Sequence, residues 1–142
     1  SVASRGLGDV YKRQVLIPAN TFTTNTGFRA EVKFNRTVTS GLGASIYCYI
    51  NTTSAVGGIQ VVLGSISSGN LSGIATRSFS IVSATSTLYI ASTVGLLDFT
   101  QAGAAFGNSN IDWTVNQYFV VSFLNQGNAQ VSNCLAIDIY PI

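Results

Sequence analysis

One uninterrupted run, Tyr118, Phe119, Val120, Val121, Ser122, Phe123 and Leu124, constrains this chain more than any other stretch. β-Branched and aromatic residues dominate it, and its length suits a single buried strand. Asn125, Gln126, Gly127 and Asn128 close it with turn chemistry. An apolar run without polar alternation reads as a strand covered on both faces, with neighbours on both edges. The remaining segments must supply those neighbours.

They read as strands of the half-buried kind. In residues 28–34, Phe28, Ala30, Val32 and Phe34 alternate with Arg29, Glu31 and Lys33. Side chains alternate faces along a strand, so one face is apolar and the other charged. Further strands are expected at 15–17, stopped by Pro18 and a turn with Phe22 closing the core, and at 44–51, 59–66 with Gly64 as a bulge, 75–83, 85–92 and 133–142. Arg77 is expected near the rim of its strand, Leu88 and Ile90 on the face opposite Tyr89, and Leu135, Ile137 and Ile139 on one apolar face. Residues 94–107 read as a long loop with a helical turn. The total of about eight strands, separated by turn signals, predicts an all-β antiparallel β-sandwich, jelly-roll-like. Strand count does not separate that topology from an Ig-like one.

At 142 residues the chain is expected to form one domain. Charged residues are only 8%, against roughly 25% in ordinary soluble proteins, so hydroxyls and amides carry the polar face. There is no histidine, which removes the commonest general base and zinc ligand. Cys48 and Cys134 match no metal or redox spacing; they are either two small buried apolar residues or one disulfide between an early and a late strand. No metal and no cofactor is expected. No apolar run approaches the ~18 residues of a membrane helix, so membrane insertion is not expected, and no signal-peptide pattern is present.

Ser4-Arg5-Gly6-Leu7-Gly8-Asp9-Val10-Tyr11-Lys12-Arg13-Gln14 resembles, codon for codon, the translation of a transposase-based sequencing adapter. Together with the absence of methionine, this suggests a metagenomic fragment. Residues 1–14 are therefore expected to be non-native and loosely packed, and 15–142 to form the domain. The formal charge of +2 resides in that segment, in Arg5, Lys12 and Arg13 against Asp9. Elsewhere Arg29, Lys33, Arg36 and Arg77 balance Glu31, Asp98, Asp112 and Asp138. The basic balance is thus no footprint for nucleic acid, and no nucleic-acid partner is expected.

Three segments carry a family resemblance: Val15-Leu16-Ile17-Pro18-Ala19-Asn20-Thr21-Phe22, Ile46-Tyr47-Cys48-Tyr49-Ile50-Asn51-Thr52-Thr53 and Asn110-Ile111-Asp112-Trp113-Thr114-Val115-Asn116-Gln117-Tyr118. Together they resemble tailed-bacteriophage virion proteins, namely the distal β-sandwich modules of tail fibres and related appendages. The resemblance implies a structural virion protein engaged in host-surface attachment, a homo-oligomer (a trimer in that family) and a bacterial surface glycan or receptor as partner. It carries over no catalytic residue.

Candidate contacts with a receptor or a second subunit are the tyrosines Tyr47, Tyr49, Tyr89, Tyr118 and Tyr140, whose rings suit both sugar faces and interfaces. Trp113 is expected to be a structural anchor with its N–H on a backbone carbonyl. An enzyme is not expected: glycoside hydrolysis needs a carboxylate pair, Glu31 and Asp138 read as solvated, and Asp112 reads as a turn acceptor. The alternative is a secreted bacterial carbohydrate-binding or adhesin module of similar composition, extracellular rather than in a virion.

Overall fold

The structure, a computed structural model, describes residues 9–37, 43–67, 69–91, 98–99, 106–125 and 131–142. Nine strands lie among them: β1 (Asp9–Ile17), β2 (Thr26–Thr37), β3 (Ala44–Asn51), β4 (Ile59–Ile66), β5 (Ser72–Ser83), β6 (Ser86–Ile90), β7 (Phe106–Ser109), β8 (Gln117–Asn125) and β9 (Val131–Pro141). They form two antiparallel sheets, β1-β8-β3-β4 and β7-β6-β5-β2-β9. The fold is an all-β antiparallel sandwich. Its roll-like element is the double return of the C-terminal strands: β8 lies beside β1 in one sheet, and β9 beside β2 in the other. The β3–β4 hairpin and the β5–β6–β7 meander each stay within one sheet.

The run that dominates the sequence becomes β8, paired with β1 on one edge and β3 on the other. Phe119, Val121 and Phe123 face the core, Val120 and Ser122 face away, and all five are fully buried. The opposing layer is the alternating face of β2, with Phe28, Ala30, Val32 and Phe34, extended by Ala75, Phe79 and Ile81 of β5. Rings join the layers: Phe79 meets Phe119 edge-on at 6.2 Å, and Phe34 meets Phe123 at 6.2 Å. Such pairs contribute about 0.5–1.5 kcal/mol each beyond their buried area.

Arginines close the two open sides. Arg77 lies on the inner face of β5 between Ala75 and Phe79 and is 0% exposed, so it is a core residue rather than the rim residue its sequence position suggests. Its Nη2 donates to the Leu63 carbonyl of β4 at 2.8 Å, and its Nη1 donates to the Ile90 carbonyl that ends β6. Burial pulls its pKa below the ordinary value, and the charge of Asp98 opposes that pull. On the other side, Arg13 Nη1 of β1 donates to the Leu135 carbonyl of β9 at 2.6 Å.

Several expectations change. Backbone pairing of β1 with β8 begins at Asp9, so part of the adapter-like segment is strand; residues 1–8 lie outside the described residues. The expected loop at 94–107 contains the start of β7, with Phe106 opposite Ile90, and most of the rest lies outside the described residues. A register shift opposite Lys33 and Phe34 throws Leu135 outward while Ile137 and Ile139 stay inward. Alternation alone cannot reveal such a bulge. Cys48 and Cys134 sit in different sheets, and both are free.

Candidate functional site

The five tyrosines do not form one surface. Tyr47 and Tyr49 alternate with the buried Cys48 on β3, so they point away from the core, with ring centroids 6.4 Å apart. Tyr49 pairs with Val120, and Tyr118 lies two residues along the same strand. It is therefore a diagonal neighbour on the same face. Gln60 Nε2 donates to the Tyr49 hydroxyl at 2.7 Å. Three tyrosines thus share the outer face of the four-stranded sheet with Leu16, Val62 and Leu124. Among the described side chains of that face none is charged. Ser122 Oγ and Gln14 Oε1 are buried there without a hydrogen-bond partner among the described residues.

Tyr89 points inward instead. The pairing of Ile81 with Thr87 sets the face of β6, so Thr87 and Tyr89 enter the core and Leu88 turns out. In a short strand reading Leu-Tyr-Ile both faces look apolar, and pattern cannot choose between them. Tyr89 packs on Phe79 at 5.6 Å, and its hydroxyl lies 2.6 Å from Ser109 Oγ. The ring lies across Gly107, where any Cβ would overlap it. Tyr89 is therefore no surface contact.

Tyr140 belongs to the outer face of the five-stranded sheet, which differs in kind. Arg29, Glu31 and Lys33 project from β2, Asp138 and Tyr140 from β9, and Thr76 and Ser78 from β5. Arg29 Nε lies 3.7 Å from Glu31 and Lys33 Nζ 3.8 Å from Asp138. The Arg29 guanidinium stands 5.7 Å from the centre of the Tyr140 ring. Glu31 and Asp138 are cross-strand partners. Like charges directly opposite repel, and Arg29 and Lys33 each offset one of them.

β6 pairs with β5 only from Ser80 onward. The Ser78 amide donates instead to Asp98 Oδ1 at 3.1 Å, and its hydroxyl to Asp98 Oδ2 at 3.0 Å. This brings Phe99 over the sheet, where its ring meets Phe106 at 5.8 Å. Arg29, Glu31, Thr76, Ser78, Asp98 and Phe99 line a cleft of about 360 Å³.

Trp113 is a core anchor at the end of the sandwich. Its ring stands edge-on to Phe28 at 5.5 Å and Phe22 at 6.0 Å. Its Nε1 donates to the Thr87 hydroxyl at 3.0 Å, in place of the expected backbone carbonyl. The Asn20 amide donates to the Trp113 carbonyl at 2.8 Å, tying the β1–β2 loop to the β7–β8 loop. Asp112 Oδ1 accepts from the Thr114 hydroxyl at 2.5 Å and the Thr114 amide at 2.9 Å, which holds its carboxyl below the usual range. Asp112 is thus a turn acceptor. Among the described residues, no group of His, Cys, Asp and Glu is arranged to hold a metal ion, and no helix is long and apolar enough to cross a membrane.

The class these features define is an antiparallel β-sandwich with one tyrosine-bearing face, uncharged among its described side chains, and one charged face. No protein-family model, no curated protein and no solved structure matches the chain.

Proposed function

We propose that this chain is a structural module of a tailed-bacteriophage virion, a tail-fibre or appendage domain that takes part in attachment to the host surface. It associates with copies of itself, as a trimer, through the outer face of the four-stranded sheet. The observation that supports this reading is the asymmetry of the two outer faces. Tyr47, Tyr49 and Tyr118 lie on a face with no charge among its described side chains, whereas Arg29, Glu31, Lys33 and Asp138 crowd the other. Subunit interfaces are rich in tyrosine and poor in charge. A second copy docking on the tyrosine face desolvates no charged group among its described side chains.

Light scattering over a concentration series tests this. The expected mass is that of a trimer, with Tyr47→Glu and Tyr118→Glu shifting it to a folded monomer whose melting temperature, unlike that of the wild type, does not depend on concentration. A monomeric wild-type chain at its highest soluble concentration refutes self-association. The alternative, a secreted bacterial carbohydrate-binding or adhesin module, draws support from the polar cleft. Gene order on a complete contig separates the two: tail or capsid genes favour the virion module, and a polysaccharide-utilisation cluster favours the alternative.

A further inference from the structure

The cleft on the five-stranded sheet gathers charged groups, hydroxyls and an exposed ring within one small space. Its floor is Thr76 and Ser78, on a strand paired along its length with β2. The guanidinium of Arg29 is held between Glu31 and the Tyr140 ring. Asp98 is held by two hydrogen bonds from one residue, one to each carboxylate oxygen. An ionised carboxylate has about four lone-pair sites, so both oxygens of Asp98 can accept again. Phe99 is 38% exposed and Phe106 67% exposed, a pair of phenylalanines on a surface bordering polar groups.

Fixed carboxylates, a fixed guanidinium and hydroxyls beside an exposed ring match the chemistry of a pyranose. Its vicinal hydroxyls bond such groups in pairs, and its axial C–H groups pack on an aromatic face. Two carboxylates against one guanidinium disfavour an anionic sugar. The volume of about 360 Å³ is at the small end of ligand sites, which span roughly 300–1,000 Å³, and suits one ring of a longer chain.

We infer that the cleft formed by Arg29, Glu31, Thr76, Ser78, Asp98 and Phe99 binds one neutral pyranose residue of a surface polysaccharide. This rests on the reading of the chain as a host-attachment module and names its ligand class. The cleft lies on the sheet opposite the tyrosine face, so it stays open when that face is covered by other subunits.

Saturation-transfer NMR on the full chain tests it. The probes are the methyl glycosides of glucose, galactose, mannose and N-acetylglucosamine, with glucuronic acid as the anionic arm. At least one neutral glycoside is expected to bind in the ~millimolar range. Phe99→Ala and Glu31→Gln are each expected to weaken it about tenfold without moving the melting temperature, while Tyr47→Glu leaves it intact. Three results overturn the inference: no neutral glycoside binds, binding is indifferent to both cleft substitutions, or only glucuronic acid binds. The two proposals fail separately. A monomer that binds a neutral glycoside through Phe99 sinks the self-association reading alone, and a trimer that binds none sinks the cleft alone.

Discussion

Arg77→Met removes a guanidinium that reaches a carbonyl in each sheet, and its cost can be worked from the contacts. The substitution deletes the bonds to the Leu63 and Ile90 carbonyls. A buried carbonyl left without its partner costs about 1–3 kcal/mol, so two cost about 2–6 kcal/mol. Against this, a desolvated cation disappears. Its Nε has no partner among the described residues, and exchanges of buried ionic groups for apolar ones recover about 1–4 kcal/mol. Methionine donates nothing to either carbonyl, so the middle of the first range, about 4 kcal/mol, outweighs the middle of the second, about 2.5 kcal/mol, and the net loss is about 1.5 kcal/mol. For a domain of this size each kcal/mol moves the melting temperature by ~3–4 °C, a fall of about 4–6 °C. Arg77→Lys retains the charge and reaches one carbonyl at a time, and it falls between the two. Urea and thermal unfolding of the three chains measure this, with the urea m-value expected to stay constant. A methionine variant as stable as wild type, or more so, refutes the reasoning, as does a lysine variant indistinguishable from arginine.

Two further outcomes concern the core and the thiols. Trp113→Phe keeps the aromatic cluster but strands the Thr87 hydroxyl, which is fully buried; chemical denaturation is expected to report a loss of about 1–3 kcal/mol, and a loss near zero shows that the hydroxyl finds another partner. Burial raises the Cys134 thiol to about 11, so the unfolded chain releases that proton first as pH climbs. The resulting stability is complete below the ordinary thiol value and is lost as pH rises through about 11. Urea midpoints across that alkaline window are therefore expected to fall more steeply for wild type than for Cys134→Ser, and equal slopes contradict the shift.

Much of the fold was legible because its strands carry one-sided patterns. Phe28, Ala30, Val32 and Phe34 alternate so cleanly that their face is fixed locally, and the uninterrupted run around Val121 can only be a strand covered on both sides. Tyr89 and Leu135 were not legible in that way. Tyr89 sits in a strand whose two parities are both apolar, and Leu135 sits at a bulge that breaks an otherwise clean alternation; in both cases pairing with residues far away in the chain decides. Arg77 misled for the opposite reason. A cation in an alternating strand reads as a rim residue unless carbonyls wait to receive it, and those belong to β4 and to the end of β6. The cleft was invisible for similar reasons. Glu31 and Thr76 face each other only through a pairing of strands far apart in the chain, and Asp98 reaches Ser78 from a segment with no strand pattern.

The pairing of β1 with β8, and of β9 with β2, has a mechanical side. β1 and β9 run in the same direction in opposite sheets: Asp9 lies level with Leu124 at one end of the sandwich, and Pro141 level with Phe28 at the other. Tension drawing the start of β1 away from the end of β9 therefore acts along the strands. It loads each ladder in shear, so the hydrogen bonds of a pair share the force instead of opening one after another. Arg13, bonded to the Leu135 carbonyl, couples the two loaded strands across the gap between the sheets. Rupture under load is governed by the unfolding barrier rather than by equilibrium stability. A module strung this way resists pulling along its axis far better than peeling from its side.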